Sequence, residues 1–140
     1  MVDLDEIRTS FEFFDDWEDK YRFILDMGKT VPSLPYDKRT DQNIVRGCQS
    51  QVWLVSNYDS TSNSLRLEID SDAHIVRGLI AIIQSAYKNL SPSEILEFDI
   101  DGLFEELKLF SHLSATRGNG LRAMVHRIRA EARTHQSSEE

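Results

Sequence analysis

The sequence predicts an α+β fold, in which a small three-stranded antiparallel sheet packs against helices from both ends of the chain. Three observations predict it. Apolar residues recur at spacings of three and four near both termini, as on one face of a helix. Leu65, Leu67 and Ile69 alternate with Arg66, Glu68 and Asp70, the period of a half-buried antiparallel strand with one wet face. A sheet that small needs its apolar face covered, and the helices supply the cover.

The elements follow in order. Leu4, Ile7, Phe11 and Phe14 form the stripe of a first helix. Asp15-Asp16 interrupt it and place a capping carboxylate at the positive end of a second. Trp17, Tyr21, Ile24 and Leu25 are that helix's apolar side, Glu18 and Arg22 an i, i+4 pair, and Gly28 a C′ residue. From Lys29 to Asn43 the pattern is lost, and Pro32 and Pro35 exclude regular helix. Ile44-Val45 is a very short strand candidate.

Val52 to Tyr58 reads as a strand. It is joined to the 65–69 strand by a segment rich in turn formers, with Ile44-Val45 as the third strand. Ser71-Asp72 is read as the cap of the most apolar helix, which carries Ile75, Val76, Leu79, Ile82, Ile83 and Ala86 and is assigned to the centre of the core. Ser91-Pro92-Ser93-Glu94 has the form of a capping box with proline at N1, opening a short helix that ends near Phe98. One further short helix carries Leu103, Phe104, Leu107 and Phe110. Ser114 to Gly120 is read as a loop, because Gly118, Asn119 and Gly120 all tolerate positive φ. The last helix has Leu121, Met124, Val125 and Ile128 inside and its arginines outside. Residues 1–134 are read as one domain and 135–140 as a disordered polar tail.

A chain of 140 residues, 40% of them hydrophobic, is long enough to bury a core. Its net charge of −8 argues against nucleic acid and anionic membranes as partners, since both repel an acidic surface. Its longest apolar run, Leu79 to Ile83, is far too short to span a bilayer, and the acidic Met1 to Glu6 has no signal-peptide character. A cytoplasmic location is expected.

The stretch that bears on chemistry is Arg46-Gly47-Cys48-Gln49-Ser50-Gln51-Val52-Trp53, which holds the single cysteine. One cysteine forms no internal disulfide and supplies no cysteine-rich zinc or iron–sulfur site, so no metal and no cofactor are expected. A cysteine–histidine hydrolase needs a base, and none of His74, His112, His126 and His135 stands beside a nucleophile signature. By residue type Cys48 reads as a small buried hydrophobe. By position, after a glycine in a polar loop, it reads as a functional thiol. Composition and spacing leave both readings open.

Gly47-Cys48-Gln49-Ser50-Gln51-Val52-Trp53 resembles the cysteine motif of the SufE family of sulfur-acceptor proteins, which includes CsdE. Ser71 to Ala81 resembles that family's central helix segment, and Leu113 to Leu121 its C-terminal loop. Ala115 stands where the family often has proline and Gly118 where serine is common. The resemblance implies a fold shared with the IscU scaffold family. It also implies a role beside a pyridoxal-phosphate-dependent cysteine desulfurase of the SufS or CsdA kind. In that role Cys48 takes a persulfide sulfur, stimulates the desulfurase and passes the sulfur to an iron–sulfur scaffold complex of the SufBCD kind. An ordinary thiol is only a few per cent thiolate at neutral pH, so activation has to come from a cation, backbone N–H groups or the partner. Arg117 and Arg46 are the candidate cations, with Arg117 equally readable as a binder of a partner carboxylate or as a solvated loop arginine. Gly47 is expected to shape the loop, Gln49 and Ser50 either to shape it or to donate hydrogen bonds to the sulfur, and Asp72 to cap a helix rather than to act in catalysis. His112 is either a core histidine or a proton donor. Cys48 is expected to rest against apolar residues and to extend when docked. The competing reading is a non-catalytic module that regulates a desulfurase allosterically.

Overall fold

The computed structural model describes residues 3–137. In chain order the elements are α1 (Leu4–Phe13), α2 (Trp17–Gly28), β1 (Val52–Asp59), β2 (Ser64–Ser71), α3 (His74–Tyr87), α4 (Pro92–Glu97), α5 (Ile100–Glu106), α6 (Leu109–His112) and α7 (Ala115–Gln136). Aspartates open the first two helices. The Asp3 side chain accepts from Glu6 N–H and the Asp16 side chain from Asp19 N–H. The Glu18–Arg22 pair forms at 2.8 Å. Tyr21, expected inside, is exposed, while Ile24 and Met27 carry the buried face of α2.

α3 is the centre of the core, with Ile80, Ala81, Ile82 and Ile83 fully buried. It crosses α2 at two glycines. A Cβ added to Gly28 would lie 2.8 Å from the backbone nitrogen of Gly78, and one on Gly78 would collide with the carbonyl of Ile24. Gly28 is therefore the last residue of α2, buried at a helix contact, rather than a free C′ residue.

β1 and β2 form an antiparallel hairpin, with Val52 opposite Ser71 and Asp59 opposite Ser64. The expected third strand is reduced to one bridge, Ile44 to Trp53, with Val45 N–H donating to Val52 O at 2.8 Å. It ends there because Gly47, at φ +91°, turns the chain out of extended geometry.

Asp70 was expected on the wet face of β2, yet it is 0% exposed. The connection after α2 folds over it. Asp70 pairs with Arg39 at 3.0 Å and with Arg77, and it accepts from the N–H groups of Leu34 and Ser71, both at 2.8 Å. Arg77 also donates to the carbonyls of Gly28 and Val31. Arg39 lies over the Trp53 ring, 5.2 Å from its centroid. The connection contains no α-helix, only short 3₁₀ turns at Tyr36–Lys38 and Asp41–Asn43.

The capping box at Ser91 and Glu94 is present in both directions. The single helix expected after it is split into α5 and α6 by Lys108, whose backbone is left-handed at φ 56°. α7 begins at Ala115, so the expected loop from Ser114 to Gly120 is its cap and first turns, with Ser114 accepting from Arg117 N–H. Its other end runs to Gln136, so the expected tail begins later than His135. Residues 138–140 of that expected tail lie outside the described residues. Among the described residues no helix is long and apolar enough to cross a membrane.

Candidate functional site

The bond from Val45 N–H to Val52 O closes the base of a loop over residues 46–51 and makes Cys48 its inward-turned member. Gly47 provides the positive φ, and a Cβ there would press to 3.3 Å from that of Ala123 on α7. The far end of the loop is tied to the start of α3. Gln51 N–H donates to the Asp72 carboxylate at 3.1 Å, Asp72 N–H donates back to Gln51 O at 3.3 Å, and the Ser71 hydroxyl donates to Gln51 O at 2.7 Å. This corrects the expected cap. The N-cap of α3 is Ala73, which offers no side-chain bond, and Asp72 holds the loop instead.

The Cys48 thiol is half-buried and packs against the main core. It donates to the carbonyl of Gly120, Sγ to O 3.5 Å. It lines a cleft of about 80 Å³ whose apolar side is Val52, Val76, Leu79, Leu121 and Met124. The polar side is Gln49, Ser50, Ser114, Thr116 and Arg117. Burial pushes the Cys48 thiol up from its ordinary pKa, because a thiolate there loses hydration. At rest the group is thus a protonated donor, a poor nucleophile until its surroundings change.

Of the residues the sequence singled out, Cys48, Gln49, Ser50 and Arg117 meet in the cleft, and Gly47 makes the turn beside it. Arg46 is exposed and lies outside the cleft lining. His112, read as a core or proton-donating histidine, is exposed. It stacks on Trp17 with ring centroids 4.4 Å apart and does not line the cleft. Gly120 escaped the sequence reading as a partner of the thiol. Its carbonyl reaches Cys48 only because the segment is helical, and nothing in the local sequence announces a backbone acceptor. Among the described residues no group of three or more His, Cys, Asp or Glu side chains is placed to hold a metal ion.

Comparison with known proteins is consistent along the chain. Residues 5–132 match the SufE family model, described as an Fe–S metabolism associated domain. An uncharacterized SufE-like protein of Rhizobium etli is 48% identical over 135 residues, covering 95% of this chain and 91% of the relative. One of Rhizobium meliloti is 46% identical over 134 residues, covering 94% and 96%. The solution structure of a hypothetical protein from Thermus thermophilus superposes with a TM-score of 0.76 over 98% of this chain and 99% of that one. At 20% identity it speaks to the fold alone. With a family match over nearly its whole length and two relatives near half identity, the chain belongs to the SufE family of Fe–S metabolism associated proteins.

Proposed function

We propose that this protein is a cytoplasmic sulfur acceptor that takes the persulfide sulfur of a pyridoxal-phosphate-dependent cysteine desulfurase onto Cys48 and passes it on for iron–sulfur cluster assembly. The observation that carries the reading is the placement of the single thiol, on a six-residue loop tied at both ends and turned into a cleft with one apolar side. A carrier needs one thiol that can be sheltered and presented, and it needs no metal and no base of its own.

The transfer is an exchange. The Cys48 sulfur attacks the outer sulfur of the donor persulfide, a new S–S bond forms at Cys48, and the donor's own S–S bond breaks. The electron pair of the broken bond goes to the donor cysteine sulfur, which takes up the proton that Cys48 gives up. One thiol and one persulfide enter, and one of each leaves, so no external oxidant or reductant is consumed. The raised pKa of the resting thiol fits a group that is idle until docking draws it from the cleft. Arg117, at the cleft's polar side, would then stand near the sulfur as a stabilising cation.

The test is incubation with a cysteine desulfurase and ³⁵S-labelled L-cysteine, followed by a non-reducing gel. Label on the wild type, lost on reduction and absent from Cys48→Ser, is expected. Full stimulation of the desulfurase by Cys48→Ser, without label on the wild type, would establish an allosteric module instead.

A further inference from the structure

The outer face of α7 is a surface that the proposed sulfur chemistry does not use. Five arginines and one glutamate give this helix a charge of +4 in a chain whose total is −8. Arg122, His126, Arg129 and Arg133 follow one another at spacings of four, three and four, so they share one face. The face is about 16 Å long at 1.5 Å per residue. Gly120, whose carbonyl meets the Cys48 thiol, lies about 150° round the helix from the middle of this face, with Ala123 on the side between them.

Seven other cations find carboxylates: Arg8 with Glu106, Arg22 with Glu18, Lys29 with Asp26, Lys38 with Glu68, Arg39 and Arg77 with Asp70, and Arg127 with Glu131. Lys20, Arg46, Arg66, Lys88, Lys108 and Arg117, scattered over the surface, make no ion pair among the described residues. Among the described residues Arg122, Arg129 and Arg133 make no ion pair, although the chain has 24 acidic residues to offer. Two of the three are held in place by other means. The Arg122 guanidinium sits over the Phe110 ring, 4.0 Å from its centroid, where the absence of a side chain on Gly118 lets the ring close in. Arg129 donates to the carbonyl of Leu96 at 3.1 Å. Guanidiniums fixed in this way lose little side-chain entropy when a partner arrives, and each retains free donors in a planar fork suited to carboxylates.

We infer that the Arg122–His126–Arg129–Arg133 face of α7 is a docking surface for an acidic segment of a partner protein. Charge complementarity selects the partner. An acidic helix or patch of similar length meets the cations and stops there. A long polyanion such as duplex DNA would continue past them onto a remainder carrying −12, and be repelled. Because the face is separate from the loop flank, a partner bound here leaves Cys48 free to exchange sulfur.

The test does not depend on sulfur transfer. A short oligoglutamate is titrated into the ¹⁵N-labelled chain while amide shifts are followed by NMR, with oligolysine and a short DNA duplex in parallel. Saturable, salt-sensitive shifts centred on residues 122–133, with residues 47–51 unmoved, are expected. Arg122→Glu/Arg133→Glu, with its fold checked by circular dichroism, should weaken binding about tenfold or more. Should that variant misfold, Arg133→Gln alone, at an exposed position with no ion pair, should still weaken it measurably. No saturable shifts, shifts centred on the Cys48 loop, unchanged binding by the variants, or tighter binding of the duplex would each overturn the inference.

Discussion

Cys48 sits where its proton is hard to remove, and that has a measurable sign. Burial raises its pKa in the folded state above the unfolded value. The folded chain therefore holds the proton longer, and the stability linked to it is complete below the unfolded thiol's pKa and is lost as pH rises through the folded one. Urea midpoints of wild type and Cys48→Ser, compared from about pH 7 to about pH 10, should show the wild type falling relative to the variant at the alkaline end. Parallel profiles would contradict the burial argument. Gly47 offers a second residue-scale check. Alanine at φ +91° is strained and brings a Cβ to 3.3 Å from Ala123, so Gly47→Ala should lower the unfolding free energy by about 1–2 kcal/mol in urea melts. The motif letters alone marked both residues as the place to look. The hydrogen bond to Gly120 was illegible, because its acceptor is a backbone carbonyl 72 residues away.

At the scale of elements, the hairpin and the connection after α2 are fastened by one carboxylate. Asp70 is fully buried with two arginines and two backbone donors upon it. Asp70→Ala leaves two guanidiniums facing a vacated site and should cost about 3–5 kcal/mol, read as a lower urea midpoint. Loss of less than about 1 kcal/mol would show that the arginines find solvent instead. Ser91→Ala removes one half of the capping box on α4 and should cost about 1 kcal/mol. The contrast is instructive. The capping box was legible because all its parts lie within four residues. Asp70 was read as wet because strand alternation assumes that the second face meets water, and here a distant segment covers it. The expected loop at Ser114 failed for a related reason. Gly118 and Gly120 suggest free backbone, but both lie inside a helix whose start Ser114 fixes, where Gly118 serves close packing against Phe110.

At the scale of the whole molecule, the proposed function requires the cysteine loop to move on docking. Its ends are tied to β1 and α3, but Arg46, Gly47 and Gln49 are exposed between them. Hydrogen exchange across residues 47–51, with and without a cysteine desulfurase, should show changed protection on docking. Unchanged exchange in a complex shown to form would count against a loop that extends.

The sequence by itself determined the two N-terminal helices, the hairpin, the central helix and the capped helix at Ser91, in their order, from periodicity, caps and proline placement, because those signals are local. It also determined that one thiol, in one motif, was the residue to examine. Only the tertiary structure decided which way that thiol faces, that Arg117 rather than Arg46 shares its cleft, that the sheet stops at two strands, and that Asp70 is an internal anchor. Those outcomes depend on which distant segments pack against one another, and burial is a property of the packed molecule rather than of any stretch within it.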